Sequence, residues 1–507
     1  MEQAVKITMV IAYLAVLLGI GVVASRRVKD LRDFFAGGKN LGFLSVAFSA
    51  RATGESAWLL LGLTGMGAAV GVKAMWIVFG EILGVGLAWL WMARRFKRLT
   101  DNYDSITMPD YLESRFQDTT QRLRMASAFA LVVFVTIYVS AQIDATGAAF
   151  ETFLGWNYFV GAGIGFAVVL AYSTFGGFVA VAWSDVFQGT LMFVGLIALP
   201  IAGVMAAGGW GEVSTGLTAI DPNLLSWSGA EAWTGLLVLE VVGFLVIGFG
   251  FMGSPQIFVR FIALRDEGEI GKGAAVAIIW TVLADTGAVL TGMIGRHLLT
   301  EPGQDVAQIL GNGGQNVLPL LTEHLFPLII VGLYVAIVLS AIMSTIDSLL
   351  VVAASALVRD GYQKIRHPDM ADADLLKASR NATLGLALIA LVLAMTVAIT
   401  TPDRTVFWFV IFGWSGISAT FCPTVILSLF WARFTGKGAL AAMTGGFLSV
   451  PFFKFIAPHI DLLAAPVAAL SELPPALAVS FLCGIIVSLV DRDGAPDGAA
   501  EELKAVA

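Results

Sequence analysis

Uncharged apolar stretches of membrane length recur along this chain and constrain its fold more than any other feature. Residues 7–25 (ITMVIAYLAVLLGIGVVAS) carry no charge and then meet Arg26, Arg27 and Lys29. A bilayer core takes about 20 apolar residues as helix. A cleaved signal peptide has its positive charge before the apolar run; here it follows, so this is a retained span. Of the 507 residues 58% are hydrophobic and 13% charged, about half the charged share of a soluble chain. So few charges cannot coat so much apolar surface, and a soluble or disordered chain is excluded. A net charge of −7 gives no basic excess for nucleic acid.

Enzymatic signatures are missing. Cys422 and Cys483 both lie in apolar stretches, and the four histidines have no ligand spacing. Gly248, Gly250 and Gly253 fit GxGxxG, but within a membrane-length segment rather than between a strand and a helix. No nucleophile–base pair or metal set emerges, so the expectation is a protein that is not an enzyme and has no organic cofactor.

Thirteen spans are expected, at 7–25, 42–71, 74–93, 125–153, 157–175, 178–206, 233–257, 273–299, 325–358, 381–399, 405–431, 437–455 and 474–490. Backbone amides in lipid must be satisfied within the segment, so the spans form a helical bundle; a barrel would show alternating strands instead. With the N-terminus outside, the inner loops and tail hold 24 of the 30 Lys and Arg residues. That bias fits a bacterial inner-membrane protein with a cytoplasmic C-terminus.

Two spans look unfit to be continuous helices. One contains Arg51-Ala-Thr-Gly54-Glu55-Ser56-Ala-Trp58, and the other ends Gly248-Phe-Gly250-Phe-Met-Gly253-Ser254-Pro255. Glycine weakens a helix by about 1 kcal/mol and proline by about 3. Close helix packing explains one Gly-rich span. Two at matching positions suggest inverted repeats with the substrate at the midplane. The organisation expected is an extra helix and loop (1–41), a first five-helix repeat (42–206), an outer loop (207–232), a second repeat (233–431), two extra helices (432–490) and a tail (491–507).

Ionisable residues within spans are costly and usually face a polar cavity. They are Glu55, Glu81, Asp144, Asp185, Glu240, Asp285 and Asp347, with Arg51 as the clear base. Glu81 and Glu240 also fit water near a span end. A net acidic interior suits cation handling. In Ala341-Ile-Met-Ser344-Thr345-Ile-Asp347-Ser348, helical spacing puts Ser344, Asp347 and Ser348 on one face. Hydroxyl and carboxylate oxygens suit a hard cation, although the serines could equally bond back to their own helix. Asp185 is a second candidate carboxylate. Arg51 and Glu55, one turn apart, read either as an internal ion pair or as a coupling site.

At these residues the chain resembles the sodium/solute symporter family, and most closely the bacterial sodium/proline symporters. The resemblance runs from the first span to about residue 455. It rests on Phe35-Ala-Gly37-Gly38 with Leu41-Gly42, Ser56-Ala-Trp58-Leu59-Leu60, Thr107-Met-Pro109-Asp110-Tyr111, Gly176-Gly177-Phe178 through Asp185, Pro255 with Arg260, Met343-Ser344-Thr345, and Gly436 to Met443. It implies an all-α membrane protein with a LeuT-type inverted repeat of five plus five helices. It also implies secondary active import of a small polar solute, proline or a similar amino acid, with Na⁺ as coupling ion. The principal sodium site would use carbonyls of Ala52, Glu55 and Ala341 with hydroxyls of Ser344 and Thr345. A second, found in some members, would fall on Asp185, Ser344, Asp347 and Ser348. Ser56, Ala57, Trp58, Tyr138, Gln142, Phe251, Pro255 and Trp414 would line the substrate pocket.

The chain departs from that pattern at four places. Proline symporters carry Asp where this chain has Gly54; Arg51 replaces a small residue; a pocket Trp becomes Ile247 and a pocket Tyr becomes Phe251. The alternative reading is a proton-coupled or sodium-independent carrier of another small amino or organic acid. Expected partners are a small-molecule substrate and membrane lipid, with no nucleic acid, and the chain would act as a monomer.

Overall fold

The computed structural model describes residues 2–26, 36–173, 177–364, 367, 369–491 and 494–506. Phe35 and Gly176 of the motifs above, and Arg27 and Lys29 after the first span, lie outside them. Among the described residues the regular structure is helical, apart from one parallel bridge between Leu41 and Leu264. Among the described residues eleven helices are long and apolar enough to cross a membrane, by length and composition. Two features separate this from the thirteen expected. The run Phe43–Asn102 carries two expected spans and is turned at Gly71 (φ 63°), and 157–175 appears as the shorter helix Tyr158–Ser173.

Helix α1 spans Glu2–Ser25, α2 Phe43–Ala57, α3 Thr64–Val70, α4 Met75–Leu87, α5 Arg122–Leu154, α6 Tyr158–Ser173 and α7 Gly177–Ala206. Then come α8 Gly235–Ile247, α9 Pro255–Ala263, α10 Ile270–Leu299, α11 Leu328–Ser355, α12 Asp372–Thr400, α13 Val406–Phe430, α14 Gly436–Pro451 and α15 Leu473–Val490. The core gathers round α2, α5, α11 and α13, whose middle turns are buried on all sides. Outward faces of α1, α12 and α15 expose Leu, Ile and Val instead, as lipid-facing helices do.

Both interrupted spans are interrupted. Ser56 adopts φ 39°, ψ −166° between α2 and the wide turn Trp58–Leu63, a conformation costing a non-glycine residue roughly 1–2 kcal/mol. The freed groups find partners, as they must inside a membrane. Gln142 Oε1 accepts the Ala57 N–H at 3.0 Å, and Ser56 Oγ accepts the Trp58 N–H at 3.3 Å. In the second span α8 tightens into a 3₁₀ turn at Gly248–Phe251, and Gly253 at φ 155° leads to Pro255, the first residue of α9. Only glycine fits at 253, because an added Cβ would lie 2.7 Å from Cys422 Cα. The Gly250 carbonyl accepts Ser254 Oγ at 2.6 Å and Cys422 Sγ at 3.2 Å.

Glycine also sets helix spacing, as expected of membrane bundles. A Cβ on Gly80 would lie 2.2 Å from the Leu245 carbonyl oxygen, and one on Gly84 1.8 Å from that of Gly248. α4 and α8 therefore meet backbone to backbone. The Thr107–Tyr111 motif caps the short helix Met108–Phe116. Thr107 Oγ1 accepts the Asp110 N–H at 3.1 Å, and Tyr111 Oη meets Ser428 Oγ at 2.8 Å.

Candidate cation and solute site

The first break brings α2 against α11 through oxygen atoms. Ser344 Oγ donates to the carbonyls of Ala52 (2.9 Å) and Ala341 (3.2 Å). Thr345 Oγ1 donates to those of Thr53 (3.0 Å) and Ala341 (3.1 Å). Four of the five oxygens assigned to a sodium site thus sit within hydrogen-bond reach of one another. The fifth, the Glu55 carbonyl, lies one residue before the break and accepts the Trp58 N–H. All are fully buried. Rotating two hydroxyl protons away would turn this patch into an all-oxygen nest of the kind hard cations take, so the donor set fits Na⁺.

The expected pocket residues fall into three groups. Tyr138 donates its hydroxyl to Ser56 Oγ at 3.3 Å, beside Gln142 on the Ala57 amide. Trp414 stands between Tyr138 and Phe251, with ring centroids 6.4 and 5.0 Å away, and donates its indole N–H to the Ile247 carbonyl at 2.9 Å. Trp58 turns away, its ring edge-on to Phe407 at 6.2 Å and its indole N–H on the Gly54 carbonyl. Pro255 lies elsewhere, in a narrow crevice with Pro109, Val351 and Ser355. Two buried polar atoms near the aromatic group, Gln142 Nε2 and Ser418 Oγ, have no hydrogen-bond partner among the described residues.

Behind Phe251 sits a buried charge cluster. The ion pair at one-turn spacing forms, Arg51 to Glu55, and two more carboxylates join it: Asp285 and Glu81 lie 3.8 and 3.9 Å from Arg51 Nη2. Arg51 Cζ is also 4.7 Å from the Phe251 ring centre. Of the two acids that also fitted water at a span end, Glu81 is fully buried, because α4 packs too closely for water to reach it. Glu240 is partly exposed and pairs with Lys73 at 2.8 Å. Asp144 pairs with Arg404.

Sequence reasoning missed the residue that organises Asp185. Arg260, counted above among loop cations, is fully buried on α9. Its Nη2 donates to Thr53 Oγ1 (2.5 Å), Ser348 Oγ (2.6 Å) and Asp185 Oδ2 (3.1 Å). Its Nε donates to Ser49 Oγ (2.9 Å), which itself donates to Asp185 Oδ2 at 2.6 Å. Asp185 and Ser348 are therefore together, with a guanidinium between them. Asp347 Oδ1 accepts the Ser348 N–H at 2.6 Å. The apolar flanks of Arg260 in Phe258-Val-Arg260-Phe-Ile and the i, i+4 pair Ser49/Thr53 were the available signals.

The sequence pattern described as "Sodium:solute symporter family" matches residues 34–446, most of the chain. The chain belongs to the sodium:solute symporter family. The high-affinity proline transporter PutP of Bacillus subtilis is 36% identical over 94% of this chain and 96% of its own length. The sodium/proline symporter of Escherichia coli is 32% identical over 89% of each. Among solved structures, a Na⁺-coupled sialic acid symporter covers 97% of this chain and 98% of its own, with a TM-score of 0.77 at 19% identity. MhsT in complex with L-phenylalanine aligns over 87% of this chain and 98% of its own, with a TM-score of 0.55 at 15% identity. These likenesses establish the LeuT-type fold.

Proposed function

We propose that this symporter couples inward Na⁺ movement to the uptake of proline or a closely similar zwitterionic amino acid. The observation that carries the reading is the meeting of Ser344 and Thr345 hydroxyls with Ala52 and Ala341 carbonyls beside the break at Ser56. Na⁺ there bridges α2 and α11 and fixes the broken helix, so ion and solute bind cooperatively. The relatives named for proline, and the neutral side chains of Ser56, Tyr138, Gln142, Phe251 and Trp414, support a small solute without net charge. Ser56, Tyr138 and Gln142 hold its polar end and Phe251 with Trp414 its apolar side. Gln142 already bonds the Ala57 amide, so its free Nε2 serves the solute carboxylate in place of that backbone group. The N-terminus lies outside, a reading supported by the Lys and Arg bias, in which 23 of 30 remain once Arg260 leaves the inner loops.

The test is uptake of labelled proline and a panel of amino and organic acids into proteoliposomes with an imposed Na⁺ gradient. Na⁺-stimulated proline uptake is expected, and its Na⁺ dependence is lost in Ser344→Ala/Thr345→Ala. Uptake driven by a pH gradient alone, or none of any solute, overturns the proposal. So does unchanged Na⁺ dependence in the double variant.

A further inference from the structure

Asp185 Oδ2 and Ser348 Oγ are two of the oxygens that a second Na⁺ would need, and both accept from Arg260, while Asp185 Oδ1 has no hydrogen-bond partner among the described residues. The Arg260 guanidinium bonds Asp185 at 3.1 Å, Ser348 at 2.6 Å, Thr53 at 2.5 Å and Ser49 at 2.9 Å, and its Nη1 donates to the Gln256 carbonyl. These acceptors come from α2, α7, α9 and α11. Arg260 and Asp185 are both fully buried, and the guanidinium also faces the Phe178 ring at 5.3 Å. Of the other two oxygen sources, Ser344 is committed to the Ala52 and Ala341 carbonyls, and Asp347 Oδ1 receives its neighbour's N–H.

We propose that Arg260 is a tethered cation that fills the second sodium position, so that one Na⁺ accompanies each solute. The proposal rests on the Na⁺-symport reading above. A guanidinium is planar, permanently charged and rich in donors, and here each of its three nitrogens has an oxygen acceptor. Na⁺ entering this place would have to displace those donors within a fully buried site. It would also put two cations beside Asp185, the carboxylate that pairs with Arg260. Because the arginine is covalently attached, its local concentration exceeds that of any free ion. Thr53 joins the two places: its carbonyl accepts Thr345 Oγ1 at 3.0 Å beside the principal site, and its hydroxyl accepts Arg260. The fixed charge thus braces the strand of contacts on which the mobile ion acts.

Reversal potentials in proteoliposomes, with opposed Na⁺ and proline gradients, read the number of Na⁺ ions per solute. One is expected in the wild-type protein. In Arg260→Gln the ratio rises to two, as Na⁺ enters to neutralise Asp185; in Arg260→Gln/Asp185→Asn it returns to one. A wild-type ratio of two that falls to one in Asp185→Asn overturns the proposal, as does a ratio that stays at one in Arg260→Gln. Should that variant not reach the membrane, the wild-type ratio still decides. Absence of any Na⁺-driven uptake would instead fail the symport reading, leaving no ratio to measure.

Discussion

Gly54 offers the most direct probe of how the charge cluster and the solute pocket share a wall. An ideal Cβ at this position would lie 2.4 Å from Cε1 and 2.8 Å from Cζ of Phe251, where ordinary contact begins near 3.4 Å. Gly54→Ala must therefore drive the ring away by about an ångström. The ring has little room: Trp414 is packed on it at 5.0 Å and Arg51 at 4.7 Å. Overpacking of this kind costs about 1–3 kcal/mol. At 1.4 kcal/mol per tenfold, the same displacement passed to Trp414 weakens solute binding by about 5- to 150-fold. Phe251→Leu removes the obstructing atoms, so Gly54→Ala/Phe251→Leu recovers most of the loss in a double-mutant cycle. The assays are thermal unfolding in detergent and equilibrium binding of labelled proline. Gly54→Ala with wild-type melting and affinity, or losses that simply add in the double variant, would refute the reasoning.

Two further outcomes are expected. Arg51→Met leaves Glu55, Glu81 and Asp285 without their counter-charge in a dry site; breaking a buried pair in this way costs about 3–5 kcal/mol, visible as a collapse in yield and melting temperature, and Arg51→Met/Glu55→Gln recovers part of it. At the loop helix Met108–Phe116, burial pushes the Asp110 carboxyl up, but Arg359 (3.0 Å) and Arg124 (2.9 Å) together hold it below its usual range. Stabilisation from a depressed carboxylate is present above its unfolded value, about 3.9, and is lost as pH falls through the folded value. Melting temperature measured downward from pH 6 to 3 is expected to fall at the acid end, and less steeply in Asp110→Asn.

The bundle and its two breaks were legible because each is written in local sequence, whereas the meeting of α2 with α11 was implied only by the family resemblance. Apolar length marks a span, Gly and Pro mark a break, and Ser344-Thr345 marks a polar face within one turn. What stayed hidden depends on packing between distant segments. Glu81 reads as a span-end acid until Gly80 and Gly84 are seen drawing α4 onto α8. Arg260 reads as a loop cation because it lies three residues beyond the expected span end at 257; only the convergence of Ser49, Thr53, Asp185 and Ser348 reveals it as interior. Pro255 looked like a pocket residue by position, yet the break turns it towards Ser355.

The Gly80–Leu245 and Gly84–Gly248 contacts also bear on how such a molecule could move. Packed helices slide past each other by rearranging interdigitated side chains; here carbonyls press directly on a partner backbone, and no such layer exists to slip. α4 and α8 must then travel as one lever, and bending has to occur further along, at Gly253, where the chain already leaves the helical path.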